Sequence, residues 1–142
     1  MNPLTPETLS LVLTALAEDI GGGDITTEST IPADARATGV ILAKEPCVVA
    51  GLPLVEAIFA KLDARVVVKR LVEDGDLVEI RQRVAELTGP ARAILTGERV
   101  ALNFLQRLSG IATLTRGFVE AVTGTKTKIL DTRKTTPTLR AL

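Results

Sequence analysis

The chain contains no histidine, and this absence excludes a wide range of chemistry. Without an imidazole, these 142 residues cannot supply a serine–histidine triad, a histidine zinc site or imidazole acid–base catalysis. Tryptophan and tyrosine are also absent and only 3 phenylalanines occur, which argues against stacking of single-stranded nucleic-acid bases. The side chains left for chemistry are mainly carboxylates, guanidinium groups, amines and hydroxyls.

The chain has only one cysteine and no net charge. Cys47 is the single cysteine, so the chain can form neither an internal disulfide nor a thiolate zinc site. Its apolar setting in Cys47–Ala50 predicts a buried structural thiol. The 17 basic residues balance the 17 acidic ones, so no overall field attracts nucleic acid or an anionic membrane. Any anion site must therefore be local.

Long apolar runs are missing as well. No stretch approaches the ~18 residues of a membrane-spanning helix, and Met1–Leu4 lacks the basic and apolar regions of a signal peptide. Hydrophobic residues make up 46% of the chain and charged residues 24%, as in globular domains. We expect a soluble, cytoplasmic protein without a membrane or nucleic-acid partner.

The first part of the chain predicts a mixed α+β domain. Thr5-Pro6-Glu7 is typical of a helix start, and apolar residues then repeat at helical spacing up to Gly21. Gly22–Asp24 follows a helix and is interpreted as a connector, not a phosphate cradle. The remaining predicted elements are strands in 36–51 interrupted at Glu45-Pro46, a helix from Pro53, a strand over 65–72, a turn at Asp74–Asp76, and strands at 77–80 and 84–87.

The pattern changes at Thr96. Residues 98–122 predict a helix with a break at Ser109-Gly110, and its polar face carries Arg99 and Arg107. Residues 127–130 predict a short strand, Asp131–Pro137 a polar loop, and 139–142 the start of a helix. This is the first βα unit of a parallel fold, and no later strand is available to pair with it. We therefore expect an incomplete chain, with an α+β domain over 1–107 and the beginning of an α/β barrel over 108–142.

The loop Asp131–Pro137 has the residue types of an anion site. Loops after parallel strands are where α/β folds place their chemistry. Arg133 offers a planar fork for a carboxylate or phosphate, and Lys134 offers a compact charge for a phosphate oxygen. The alternative is a solvated turn with two ordinary surface charges, and composition alone does not decide between them.

Two long motifs resemble the quinolinate phosphoribosyltransferase family. The segment Leu95–Thr113 is similar to the family's signature helix, and Ile129–Pro137 is similar to its first barrel strand and loop. Glu18–Gly21, Gly23–Thr27 and Ala50–Pro53 also match its pattern in order. A departure is Thr138, where the family often has glycine.

The resemblance implies an activity and a set of roles. Family members join quinolinate to 5-phosphoribosyl 1-diphosphate with Mg²⁺, releasing pyrophosphate and CO₂. Carried over by position, Arg133 binds a quinolinate carboxylate, Thr132 and Lys134 line the substrate pocket, and Lys134 is the catalytic residue that also meets the phosphoribosyl substrate. Arg99 reaches the active site of a neighbouring subunit, which implies a homodimer or an assembly of dimers. The Mg²⁺ ligands are expected beyond residue 142.

Two other interpretations remain open at this point. One is a related phosphoribosyltransferase-like protein associated with molybdenum transport, which the two motifs do not separate from the first. The other is a biotinyl or lipoyl carrier module, suggested by Val72–Val78. Carrier domains need a modifiable lysine at a hairpin tip, and after Lys69 the next lysine is Lys126, which counts against this interpretation.

Overall fold

The computed structural model describes residues 4–140 and Leu142. Met1–Pro3, on which the prediction of no signal peptide partly rests, and Ala141, in the predicted C-terminal helix, lie outside the described residues. Within the described residues, no helix has both the length and the apolar character needed to cross a bilayer.

Two helices open the chain. The first, α1, is Pro6–Ile20, and the Thr5 hydroxyl accepts a hydrogen bond from the Thr8 backbone N–H at 3.2 Å, as the cap motif predicts. The second, α2, is Ile25–Thr30, capped by the Asp24 carboxylate. The sequence pattern did not predict α2, because six residues are too few to show helical periodicity.

A three-stranded antiparallel sheet follows, in the order β1-β5-β3. Its strands are β1 (Arg36–Leu42), β3 (Val67–Arg70) and β5 (Arg83–Pro90), and β5 pairs with both neighbours. Exposed and half-buried residues alternate along β1 and β3, so one face of the sheet packs on the core and the other is open. This confirms the predicted open, mixed α+β architecture.

A second, two-stranded sheet pairs β2 (Cys47–Val48) with β4 (Leu77–Val78). The helix α3 (Leu52–Leu62) begins just after β2 and packs against α4, α1 and β3. Phe59 and Ile58 of α3 are almost fully buried, and burial of such side chains contributes about 1.5–3 kcal/mol each. The other residues of the buried core come from all layers: Val12, Leu16, Ala43, Val49, Leu52, Leu54, Val55, Val66, Val78, Val84, Ala85, Leu87, Val100, Ala101 and Leu105.

The last helix, α4, runs without interruption over Ala91–Ala121. The predicted start at Glu98 and the predicted break at Ser109-Gly110 are therefore wrong. Gly110 is exposed and costs only about 1 kcal/mol relative to alanine in a helix. The buried Ser109 hydroxyl beside it accepts a hydrogen bond from the Ala50 N–H at 3.0 Å.

The C-terminal segment differs from the prediction as well. Residues 127–130 form no strand, and 139–140 lie in a turn instead of a helix. A strand needs a neighbour for its backbone hydrogen bonds, and the described part of the chain offers none at this point. In the described residues, the segment therefore has no strand partner.

Candidate anion-binding site

Arg99, on α4, is held by a carboxylate of α1. Its Nε lies 3.0 and 3.1 Å from the two carboxylate oxygens of Asp19, and its Nη2 lies 3.0 Å from Oδ2. The Arg99 side chain is 61% exposed and that of Asp19 is 24% exposed. The Asp19 carboxylate raises the pKa of Arg99 above its ordinary value, so the guanidinium stays charged.

Asp24 reinforces the same region from α2. Its carboxylate accepts a hydrogen bond from the Thr27 backbone N–H and another from the Thr96 hydroxyl at 3.0 Å, which ties the start of α2 to α4. Hydrogen bonds from Thr27 are the main reason that the pKa of Asp24 lies below its ordinary value, and the Arg99 charge adds to the effect. Arg99 therefore lies among fixed negative charges.

The position of α4 is set by two of its hydroxyl groups. Thr113 accepts a hydrogen bond from the Val48 N–H at 2.9 Å, and Ser109 accepts one from the Ala50 N–H at 3.0 Å. The Asp74 carboxylate accepts hydrogen bonds from the next two backbone N–H groups, that of Gly51 at 2.9 Å and that of Leu52 at 3.0 Å. It thereby caps the start of α3.

Gly51 is required at this junction for two reasons. Its φ is 111°, a conformation that favours glycine, and a Cβ there would lie 3.0 Å from Leu108 Cδ1 on α4. The motif Ala50–Pro53 therefore has a packing function, which is to bring the start of α3 close against α4.

The predicted substrate loop lies in the C-terminal segment. Thr132, Arg133 and Lys134 are exposed, and the Lys134 backbone N–H donates to the Thr132 hydroxyl at 3.1 Å. Arg140 Nη1 donates to the Thr132 carbonyl at 2.8 Å. Among the described residues, neither the Arg133 nor the Lys134 side chain makes an ion pair, so both cations remain available for an anion.

The loop is attached to α4 at one point. Arg107 Nη2 donates to the Thr136 hydroxyl at 2.9 Å. Leu139 lines a cleft of about 440 Å³ between α1 and α4, together with Ala15, Glu18, Asp19, Val100, Asn103, Phe104, Arg107 and Leu108. The C-terminal segment thus folds back along the polar face of α4.

Thr138 has an unusual backbone conformation. Its φ is 69°, in the left-handed region that favours glycine and that β-branched residues rarely adopt. This is the position at which the family pattern often has glycine, so the departure noted in the sequence places a β-branched side chain where the backbone favours glycine.

The structure does not bring all the predicted site residues together. In residues 4–140 and 142, no hydrogen bond or ion pair joins Arg99 to Thr132, Arg133 or Lys134. Arg107, where the loop is attached, is eight residues along α4 from Arg99, or about 12 Å at the helical rise. The contact of Arg99 with Asp19 and the contact of Arg107 with the loop therefore lie about two turns apart on α4.

Sequence reasoning missed two residues. Asp19 holds Arg99, and Arg107 contacts the loop, and the sequence pattern predicted a role for neither. The available signal for Asp19 was its place in the motif Glu18–Gly21, but the distance of 80 residues to Arg99 hides the contact.

Cys47 is half-buried, and burial raises the pKa of its thiol, with the Glu45 charge adding to the effect.

Comparisons with known proteins identify the two motif regions. The family model described as "Quinolinate phosphoribosyl transferase, N-terminal domain" matches residues 24–109, and the one for the C-terminal domain of the same family matches residues 111–142. A probable nicotinate-nucleotide pyrophosphorylase [carboxylating] of Bacillus subtilis is 46% identical over 125 residues, which are 88% of this chain and 43% of that protein. A quinolinate phosphoribosyltransferase [decarboxylating] 1b of Nicotiana tabacum is 45% identical, over 89% of this chain and 36% of that protein.

A solved structure shows the same fold. The nicotinate-nucleotide pyrophosphorylase of Francisella tularensis superposes with a TM-score of 0.90 and 38% identity, over 98% of this chain and 50% of that one. The chain therefore spans half or less of the length of these relatives. Because the N-terminal domain model alone matches residues 24–109, more than half of the sequence, the chain belongs to the quinolinate phosphoribosyl transferase family.

Proposed function

We propose that this chain is part of an enzyme that transfers the phosphoribosyl group of 5-phosphoribosyl 1-diphosphate to quinolinate with decarboxylation, a step of NAD biosynthesis. The products are nicotinate mononucleotide, pyrophosphate and CO₂. The observation that carries the proposal is the consecutive match of both family domains, 24–109 and 111–142, around two exposed cationic positions. A dianionic pyridine needs cations of this kind.

The two cationic positions have different roles in this proposal. Arg133 binds a quinolinate carboxylate in its own subunit, where Thr132 and Lys134 line the pocket and Lys134 also meets the phosphoribosyl substrate. Arg99 reaches quinolinate in a neighbouring subunit of a homodimer, or of an assembly of dimers. The domain boundary at 107/108 stays a prediction, and α4 crosses it.

The chemistry that these residues serve is mainly electrostatic. The pyridine nitrogen attacks the anomeric carbon of ribose as pyrophosphate leaves. The bond to the ortho carboxylate then breaks, CO₂ departs, and the electron pair stays on the ring carbon, where the adjacent cationic nitrogen stabilises it. A proton from water then forms the C–H bond of nicotinate mononucleotide. Fixed guanidinium and ammonium groups orient the two anionic reactants and stabilise the charge that develops on the leaving group.

Mg²⁺ is proposed to accompany the phosphoribosyl diphosphate. In the described part of the chain, no group of three or more acidic, cysteine or histidine side chains is arranged to hold a metal ion. The described residues therefore do not fit a metal site, its ligands are proposed to come from residues beyond 142, and none of the roles above depends on the ion.

A hybrid protein tests the proposal. The 142-residue chain alone is expected to show no turnover of quinolinate, whereas the same chain joined to the C-terminal half of the Bacillus subtilis relative is expected to be active. In the hybrid, Arg133→Ala and Lys134→Ala should each lower kcat/KM by about 100-fold or more, the usual cost of removing one preorganised charge contact. Lys126→Ala, which removes an exposed lysine outside the loop, is the matched control and should have little effect.

The outcome is read as consumption of quinolinate and appearance of nicotinate mononucleotide. Turnover by the 142-residue chain alone would contradict the expected dependence on the second half. Consumption of nicotinate instead of quinolinate by the hybrid would favour the related molybdenum-transport-associated protein.

The cytoplasmic location also stays a prediction, since relatives named as mitochondrial or chloroplastic occur in plants.

A further inference from the structure

The contact between Asp19 and Arg99 has a specific geometry. A guanidinium carries five N–H donors, one on Nε and two on each Nη. The Asp19 carboxylate accepts hydrogen bonds from Nε and from one N–H of Nη2, with N–O distances of 3.0 to 3.1 Å. This geometry is a side-on pairing. No described residue accepts a hydrogen bond from Nη1, so the end-on edge between Nη1 and Nη2 remains open.

The exposed fractions of the two side chains indicate which of them holds the other in place. Asp19 is 24% exposed and lies on α1, which packs against α3 and α4. Arg99 is 61% exposed and extends from α4 into solvent. The better-buried carboxylate therefore holds the guanidinium of Arg99 at its Nε–Nη2 side, while most of the arginine side chain stays exposed.

We infer that Asp19 is a positioning residue, which holds Arg99 side-on so that its Nη1–Nη2 edge is presented to a carboxylate of an aromatic dicarboxylate substrate. The inference rests on the proposed function and adds a residue to it. An arginine edge accepts a carboxylate through two parallel hydrogen bonds. Asp19 orders the side chain before the substrate arrives, so less conformational freedom is lost on binding.

A purely electrostatic role for Asp19 predicts the opposite effect. A carboxylate near the site weakens the positive field that attracts a dianion, so its removal would tighten substrate binding. Positioning predicts weaker binding instead, by about 3- to 10-fold, which corresponds to the cost of ordering one long side chain. The sign of the change therefore separates the two roles.

Kinetics of the hybrid protein provide the first test. Asp19→Ala is expected to raise the KM for quinolinate about 3- to 10-fold, with a smaller change in kcat and an unchanged KM for 5-phosphoribosyl 1-diphosphate. Asp19→Glu, which keeps the carboxylate, should restore part of the affinity. Glu18→Ala is the matched control, because it removes the same charge from the same helix and Glu18 makes no ion pair with a described residue.

The 142-residue chain itself provides a second measurement. Relaxation of the ¹⁵Nε–H signal of Arg99 should report an ordered side chain in the unchanged protein and in Glu18→Ala, and a mobile one in Asp19→Ala. Thermal unfolding of each variant shows that the fold persists. An Arg99 signal of equal order with and without Asp19 would overturn the inference.

The outcomes separate the inference from the function on which it rests. If Arg99→Ala raises the KM for quinolinate and Asp19→Ala leaves it unchanged or lowers it, positioning by Asp19 is wrong and the proposed function stands. If neither variant changes the KM, the role of Arg99 is wrong as well. A hybrid without any turnover of quinolinate overturns both proposals.

Discussion

At the scale of single residues, charge pairing at the end of α3 makes the stability of the protein depend on pH. The Asp63 carboxylate accepts hydrogen bonds from the Arg65 backbone N–H at 2.9 Å and from Arg65 Nη2 at 2.7 Å. These contacts lower the pKa of Asp63 to about 2, below the usual ~3.9 of an aspartate in an unfolded chain. A lowered pKa in the folded state means that the ionised form stabilises the fold.

The direction in which stability changes with pH follows from this lowered pKa. The contribution of Asp63 is fully present above a pH of about 4 to 5 and is lost as the pH falls towards about 2. We predict that the difference in unfolding temperature between the unchanged protein and Asp63→Asn is constant from pH 7 to about 5 and shrinks between about 4 and 2. Arg65→Met should move this loss to higher pH. A difference that does not vary with pH would contradict the assignment.

At the scale of elements, α4 contains two glycines with opposite surroundings. A Cβ on Gly97 would lie 2.7 Å from both Leu62 Cδ1 and Phe59 Cε1, so this glycine allows α4 to approach α3 closely. A Cβ on Gly110 would meet nothing within 4 Å. The first glycine is needed for packing between helices, and the second only weakens the helix.

Alanine substitutions at these two positions should therefore change stability in opposite directions. Gly97→Ala is expected to lower the free energy of unfolding by about 1–3 kcal/mol through overpacking. Gly110→Ala is expected to raise it by about 0.5–1 kcal/mol, because glycine loses more backbone freedom than alanine in a helix. Urea unfolding of the two variants measures both values, and effects of the same sign would contradict this account of α4.

At the scale of the whole molecule, order is expected to fall along the chain. The central strand β5 is hydrogen-bonded on both sides, and its Val84, Ala85 and Leu87 are buried. By contrast, residues 126–135 have no backbone ladder and are exposed. The second half of α4 is also largely exposed, with Ile111, Leu114 and Phe118 on its surface.

Hydrogen exchange tests this gradient. Amides of β5 should exchange only through global unfolding, whereas those of residues 126–135 should exchange at nearly unprotected rates, with opening free energies close to 0. Residues 111–121, which are helical but exposed, serve as the internal comparison and should lie between the two. Equal protection in β5 and in 126–135 would show that the C-terminal segment is ordered by contacts other than those described.

The sequence by itself determined the type of most elements and the chemistry of the candidate site. Helical spacing and the Thr5 cap predicted α1, residues with high strand propensity and turn signals predicted the strands, and both family motifs lie in continuous segments. These features depend on interactions between residues close in sequence, which a pattern can show. The absence of histidine likewise restricted the available chemistry mainly to carboxylates, guanidinium groups, amines and hydroxyls.

The tertiary structure alone decided the features that join distant residues. A hydrogen bond joins Ser109 of α4 to Ala50, 59 residues away, and the ion pair that holds Arg99 is made with Asp19, 80 residues away. The strand predicted over 127–130 is absent for the same reason, since it needs a partner that the described chain does not contain. Local pattern specifies what a segment can become, and packing against remote segments selects among these possibilities.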